Sequence, residues 1–381
     1  MIPGPVEFDS EVLAQMASPA MSHMDPVFQN IFGETIEMTR EVFGTKTGQP
    51  LIIAASGTAG WDTVAANLTQ PGEHAIVVST GLFSDRFAEC LEAYGAKVTT
   101  IKAKLGHRPS LTDIEAALTA GTPARLITIT HTDTSAGVLW DVPAITALVR
   151  RVSPSTLVVV DGVCSVGCEE LKVDEWDVDV VHTASQKALG APPGLAVMIF
   201  SQRALDVFKA RTTPVLGYYF SLKKWLPIMT SYEARKAQYF ATPAVQLVTS
   251  LHTSLSQILA QTLPARLAAH RAASDRVKDA LERMGLRLVP VSRDVAAHGM
   301  TAAWLPQNVE LPDFLPRVSK RGVVLAGGLH PEAPTRYFRV GHMNVSVIKD
   351  AELGHIGTTL KAIEESLEDA GHVFPAGYKK V

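Results

Sequence analysis

Short, unbroken apolar runs recur along the first two-thirds of the chain, at residues 51–55, 75–80, 98–101, 126–130, 157–160, 178–183 and 195–200. Each is strand-length and continuous rather than alternating, the pattern of strands buried on both faces of a parallel sheet. Between most of them, stretches such as 84–94, 111–119 and 143–152 are amphipathic and predict helices. The alternation predicts an α/β fold. From about Val245 the texture changes. Two long helical patterns, 245–262 and 264–284, come first, and Pro264 suits a first helical turn. Strand-like runs at 286–291, 300–305 and 337–341 follow, and a terminal helix is predicted around 349–369. This mixed order predicts a smaller α+β domain joined through a long helix, with no repeat or low-complexity linker at the boundary.

A length of 381 residues allows one or two domains. Apolar residues at 46% and charged ones at 19% exclude a disordered chain and supply a large core. The formal charge of −3 gives no reason to expect nucleic acid or an anionic membrane as partner. Cys90, Cys164 and Cys168 are too few for a disulfide framework. The Cys164/Cys168 pair lacks a second pair of ligands, so reduced thiols are expected and a metal is not. No apolar run approaches the roughly 20 residues of a membrane span, and Met1–Pro5 lacks the features of a signal peptide. A soluble intracellular protein is expected. The ending Tyr378-Lys379-Lys380-Val381 departs from the S-K-L peroxisomal address, which leaves cytoplasmic and peroxisomal placement both open.

Two charges stand out by isolation. Asp161 is the single formally charged residue between Val152 and Cys168, and Lys187 the single one between Val180 and Gln202. Each follows an apolar strand, where ligands of open α/β sheets bind. Taken alone, either residue suits a buried ion pair or a lysine reaching solvent. Together they suggest one site. A lysine in apolar surroundings loses its proton more easily and can form a Schiff base. Pyridoxal 5′-phosphate needs such a lysine for its aldehyde and a carboxylate for its pyridine nitrogen. Ser56-Gly57-Thr58-Ala59-Gly60-Trp61 lies between a strand and a helical pattern, where backbone N–H groups suit a phosphate. That motif is weak alone, because many tight turns read the same way. Neither a nucleotide P-loop nor a G-x-G-x-x-G fingerprint occurs, which weakens a nicotinamide oxidoreductase reading.

Ser185-Gln186-Lys187-Ala188-Leu189-Gly190-Ala191-Pro192-Pro193-Gly194 closely resembles the lysine segment of class V aminotransferases. Val160-Asp161-Gly162-Val163-Cys164-Ser165 is similar to their V-D-x-V-x-S segment. Pro3-Gly4-Pro5, Ser56-Gly57-Thr58, Gly81-Leu82-Phe83, His131-Thr132-Asp133-Thr134-Ser135 and Arg339-Val340-Gly341-His342 fall in family order. The resemblance covers nearly the whole chain. Within the class it is greatest to alanine–glyoxylate and serine–pyruvate aminotransferases, especially the fungal type.

The resemblance implies a fold-type I, pyridoxal-phosphate-dependent homodimer with shared active sites. Residues 21–262 form its large domain, 263–381 its small one, and 1–20 a segment near the active site. Lys187 is implied as the Schiff-base lysine and proton carrier, and Asp161 as the partner of the pyridine nitrogen. Phe83 and Val163 are expected on the two ring faces and Thr134 at the ring hydroxyl. Ser56, Gly57, Thr58 and Gln186 are expected at the phosphate, although Thr58 replaces a histidine of some relatives. Tyr239 and Thr242 are expected to reach the neighbouring subunit's phosphate, and Arg339 to clamp the substrate carboxylate, with Arg336 as local competitor. Gly4 is expected near the substrate. The implied reaction moves an amino group from alanine or serine to glyoxylate, with small amino acids and 2-oxo acids as substrates. A cysteine desulfurase of the same fold needs a thiol on a mobile loop, and the three cysteines lie elsewhere. Trp61, Trp140, Trp176 and Trp225 are expected to pack, and His131 to be structural.

Overall fold

The computed structural model describes residues 1–380; Val381, the last residue of the C-terminal ending considered above, lies outside them. Twelve strands are present among the described residues. They are β1 (Gln49–Ala54), β2 (His74–Ser79), β3 (Lys97–Lys102), β4 (Leu126–Thr130), β5 (Thr132–Asp133), β6 (Val138–Leu139), β7 (Leu157–Asp161), β8 (Val180–Ala184), β9 (Leu195–Phe200), β10 (Met300–Trp304), β11 (Ala326–Gly327) and β12 (Tyr337–Gly341).

Seven of them form one sheet in the order β1-β9-β8-β7-β4-β2-β3. The pairs β8–β7, β7–β4, β4–β2 and β2–β3 are parallel, whereas β9 runs antiparallel to both β8 and β1. The sheet is mostly parallel, as expected, with β9 as the one reversed strand. Ser185–Gly194 joins β8 to β9 without a helix, and a parallel return needs a longer crossover. Two reversals across β9 leave β1 pointing the same way as β7 and β8, so their carboxyl ends share one edge. Thr130, Asp161 and His182 are neighbours in register there.

Apolar side chains cover the sheet in a continuous core that includes Ile76, Ile127, Val159, Val181 and Met198. Helix Pro26–Phe43 packs on helix Val245–Ala260 and, through Phe28 and Phe32 against Tyr232, on helix Leu222–Glu233. A second core joins Phe314, Phe338, Ile363 and Leu367 around the antiparallel sheet β10-β12-β11.

The strand expected at 286–291 does not form. Leu288 makes one isolated bridge to Ala303, Pro290 has no N–H to continue a ladder, and the Val291 amide turns to Gly106 O at 3.1 Å. The terminal helix is also shorter than expected. Gly354, at φ +64°, ends helix Asp350–Leu353 before helix His355–Asp369 begins. The N-terminal segment bonds to the end of β12 and to the turn after β8: the Gly341 amide donates to Met1 O (2.9 Å) and the Val6 amide to Gln186 O (3.0 Å). No helix among the described residues is long and apolar enough to cross a membrane.

Candidate active site

Chain segments leaving the shared strand edge enclose a cleft of about 640 Å³. Ser56, Gly57 and Thr58 follow β1, Phe83 starts the helix after β2, and Thr130, Thr132 and Thr134 follow β4. Asp161, Val163 and Cys164 come from the end of β7, and Gln186 and Lys187 from the turn after β8. Nine residues singled out in the sequence are thus brought to one cavity.

Asp161 is buried, and both its oxygens are held. Trp61 Nε1 donates to Oδ2 at 2.9 Å, and the Val163 amide donates to Oδ1 at 3.0 Å. Trp61 stacks on Phe87, which fixes the indole's angle. Beyond the packing its sequence position suggests, Trp61 lines the cleft and orients the carboxylate. Its place one helical turn beyond Thr58 was the available signal. His182 Nε2 lies 3.9 Å from Asp161 Oδ2, and burial pushes His182 below its usual value, so the ring is neutral. A carboxylate has about four acceptor positions, so Asp161 retains capacity for a donor in the cleft.

Lys187 Nζ donates to the Pro3 carbonyl. Gly4, at φ +110°, closes over this side chain, and a Cβ there would lie 2.6 Å from Lys187 Nζ. Glycine is therefore required at this position by backbone angle and by space. Cys164 lines the cleft beside Lys187, and burial raises its thiol. A neutral, buried thiol is a poor nucleophile, contrary to what a desulfurase needs.

The phosphate-suited turn precedes helix Ala59–Leu68. Its carbonyls accept from Ala59, Gly60 and Trp61, while the Gly57 and Thr58 amides find no acceptor among the described residues. A Cβ on Gly57 would approach Ala184 Cβ to 2.8 Å. Gln186 Oε1, Thr130 Oγ1 and Thr132 Oγ1 are buried without a partner among the described residues. Orphaned polar atoms facing one cleft call for a polar ligand. Free amides at a helix N-terminus suit its anionic part, and Asp161 suits a protonated ring nitrogen. The residues present fit pyridoxal 5′-phosphate.

Arg339 reaches the cleft's rim from β12. Its side chain is 7% exposed, with Nε donating to Gly327 O (2.7 Å) and Nη1 to Thr134 O (3.0 Å). Nη2 has no acceptor among the described residues. Arg336 instead faces Glu310 at the surface. The Tyr337 hydroxyl donates to Ser135 O and accepts from the Leu329 and His330 amides, tying β12 to the turn after β5. Buried Asp133 accepts from Ser84 Oγ (2.9 Å) and Ser135 Oγ (2.6 Å), which sets the helix start bearing Phe83. Tyr239 and Thr242 stand apart from the cleft. Both are exposed, Tyr239 by 63%, and their hydroxyls lie 3.4 Å from each other.

Residues 6–346 match the family described as Aminotransferase class-V. Alanine–glyoxylate aminotransferase 1 of Saccharomyces cerevisiae is 43% identical over 358 residues, covering 91% of this chain and 92% of its own. The solved structure of a ureidoglycine–glyoxylate aminotransferase from Bacillus subtilis matches with a TM-score of 0.90 at 27% identity, covering 99% of this chain and 95% of its own. That of an alanine–glyoxylate aminotransferase from Nostoc sp. matches at 0.89 and 27% identity, covering 96% and 94%. The chain belongs to the class V aminotransferase family, with the fold of the type I pyridoxal-phosphate enzymes and pyridoxal 5′-phosphate as its cofactor.

Proposed function

We propose that the protein transfers the amino group of L-alanine to glyoxylate, giving pyruvate and glycine, with L-serine as an alternative donor. The observation that carries this reading is the convergence of the Lys187 amine, the fixed Asp161 carboxylate and the Arg339 guanidinium around one cleft and its rim. The 43% identity to a yeast alanine–glyoxylate aminotransferase supports the choice of substrates.

Bound pyridoxal 5′-phosphate supplies the aldehyde that takes up the amino group and a ring that accepts the electron pair left at Cα. Lys187 would hold that aldehyde and, once the substrate amine had displaced it, its free Nζ would take up and return the proton of the substrate Cα. Asp161, held by Trp61 and Val163, would keep the ring nitrogen protonated. The amides of Gly57 and Thr58, with Ser56 and Gln186, would hold the phosphate, and Phe83 and Val163 would flank the ring. Thr134 would bond the ring hydroxyl. The free edge of Arg339 takes the substrate carboxylate, a task suited to its planar fork. The Pro3-Gly4-Pro5 segment over Lys187 leaves room for a small side chain, and no second arginine is marked for an acidic one.

A matrix of amino donors and 2-oxo acid acceptors on the holoenzyme tests the reading. Alanine bleaches the bound-cofactor absorbance and glyoxylate restores it; an unchanged spectrum with every small amino acid overturns transamination. We also propose a homodimer in which Tyr239 and Thr242 reach the neighbouring subunit's phosphate, consistent with their exposure. Mixed Lys187→Ala and Tyr239→Ala subunits then recover activity that neither variant has alone, and failure to recover it removes the shared site. We place the reaction in the cytoplasm or the peroxisome, which fractionation against a peroxisomal marker distinguishes.

A further inference from the structure

Helix Leu263–Arg283 begins near the Lys187 turn, and Arg266 in its first turn is only 2% exposed. No carboxylate pairs with it among the described residues. Its guanidinium is satisfied by neutral acceptors. Nε donates to Gly167 O (2.9 Å), Nη1 to Gln261 Oε1 (3.3 Å), and Nη2 to Ala188 O (2.7 Å) and Asn344 Oδ1 (2.9 Å). Burial lowers its pKa to about 10. A buried cation without an anion is a poor device for stability, since desolvation is not offset by charge pairing.

What it joins suggests another use. Gly167 lies on the turn that leaves Asp161 and Val163. Ala188 follows Lys187 directly. Asn344 lies just past β12, which carries Arg339. The Lys187 turn is held at each carbonyl: Lys187 O accepts from the Gly190 amide (2.8 Å), Ala188 O from Arg266, and Leu189 O from the Ser254 hydroxyl. Asn344, at φ +56°, fills the space that a Cβ on Gly190 would take, so the turn and the end of β12 interlock. The Asn344 amide donates to His270 Nε2 (3.2 Å), which leaves His270 Nδ1–H to donate to Arg266 O (2.8 Å).

We propose that Arg266 is a positioning residue for the transamination: its fork holds the Lys187 turn, the Asp161 turn and the end of the Arg339 strand in one fixed arrangement. The inference rests on the roles proposed above for those three residues. Only a planar guanidinium donates along several fixed directions at once; a lysine keeps the charge and loses the fork.

The test compares holoenzymes carrying Arg266→Gln, Arg266→Lys and Ser254→Ala. Ser254→Ala removes one bond to the Lys187 turn and leaves the three-way junction intact. Amide hydrogen exchange in the cofactor-loaded protein reads residues 162–169, 185–191 and 339–345 separately. In Arg266→Gln all three segments exchange faster by at least about tenfold, and the bound-cofactor absorbance shifts. Its kcat falls about 100-fold, the scale of a small misplacement of reacting groups. Arg266→Lys recovers part of each change, and Ser254→Ala speeds exchange at 185–191 alone.

The proposal is overturned if Arg266→Gln leaves the three segments and the absorbance unchanged. It is equally overturned if rate loss follows the thermal midpoint alike in Arg266→Gln and Ser254→Ala. If Arg266→Gln does not accumulate folded, Arg266→Lys carries the same comparison. If the wild-type enzyme fails with alanine and glyoxylate, that function falls, while exchange and absorbance still decide Arg266.

Discussion

The floor and the rim of the cleft are built differently. On the floor, Asp161 and the Lys187 turn hang from the ends of adjacent strands β7 and β8, whose register with β4 places Thr130, Asp161 and His182 side by side. Their position follows from where each strand stops. At the rim, Arg339 sits within β12 opposite Ala302 and Ala326, small residues that leave space around a long side chain. It then spends two donor groups on Gly327 and Thr134, one in its own sheet and one beyond β5. A strand end positions a floor residue, whereas the packing of two cores positions the rim. Damage to the floor should slow chemistry, and damage to the rim should weaken substrate capture.

The largest expected effect is Lys187→Ala. Turnover of alanine with glyoxylate falls about 10⁴-fold or more, the upper range for a positioned acid–base group; a rate near wild type in a coupled pyruvate assay would refute the mechanism. Asp161→Asn comes next, with kcat lower by about 100- to 1,000-fold, the scale of losing one preorganised electrostatic partner. Arg339→Lys separates rim from floor: KM for alanine rises about 10- to 100-fold, as for a lost charge-assisted bond, and kcat changes less. Were kcat to carry the whole loss, the division between the two regions would fail. Trp61→Phe keeps the packing on Phe87 and removes one donor to Asp161, so kcat drops about tenfold, with KM for alanine held.

The smallest effect is on stability. Burial lowers His131 to about 4 and His270 and His342 to about 3, from an ordinary 6.5. Their folded values lie below the unfolded one, so the unfolded chain takes up protons first as pH falls. This contribution is complete above about pH 6.5 and is lost progressively towards pH 4 and 3. Two of the three, His270 and His342, lie on the rim side. Thermal melts from pH 8 to 4 should show a falling midpoint below 6.5, and His342→Gln should flatten part of the slope; a flat wild-type profile would contradict the assignment.

Much of the floor was legible before any contact was known. Isolation of Asp161 and Lys187 in apolar windows, each just after a strand, pointed to one site, and Ser56-Gly57-Thr58 could be placed by its strand–turn–helix setting. The rim was less legible. Arg336 and Arg339 lie three residues apart, and it was the family resemblance, not any local pattern, that favoured Arg339; in the structure Arg339 is buried within β12 and Arg336 faces Glu310. Trp61 was read as packing because its partner lies 100 residues away in sequence. Arg266 gave no local signal at all: it sits in an ordinary amphipathic helix, and apart from nearby Gln261 its acceptors come from three distant segments.

The sequence by itself determined the α/β class, the strand ends and the charges placed at them, because burial and periodicity are local properties of a chain. It misjudged 286–291, where an apolar run met Pro290 and a competing acceptor at Gly106. Tertiary structure alone decided the reversed direction of β9, the indole held against Asp161, the carbonyls that hold Arg339 and the junction at Arg266. Each depends on hydrogen-bond partners far apart in sequence, and no local pattern records which distant carbonyl or carboxylate will face a buried donor.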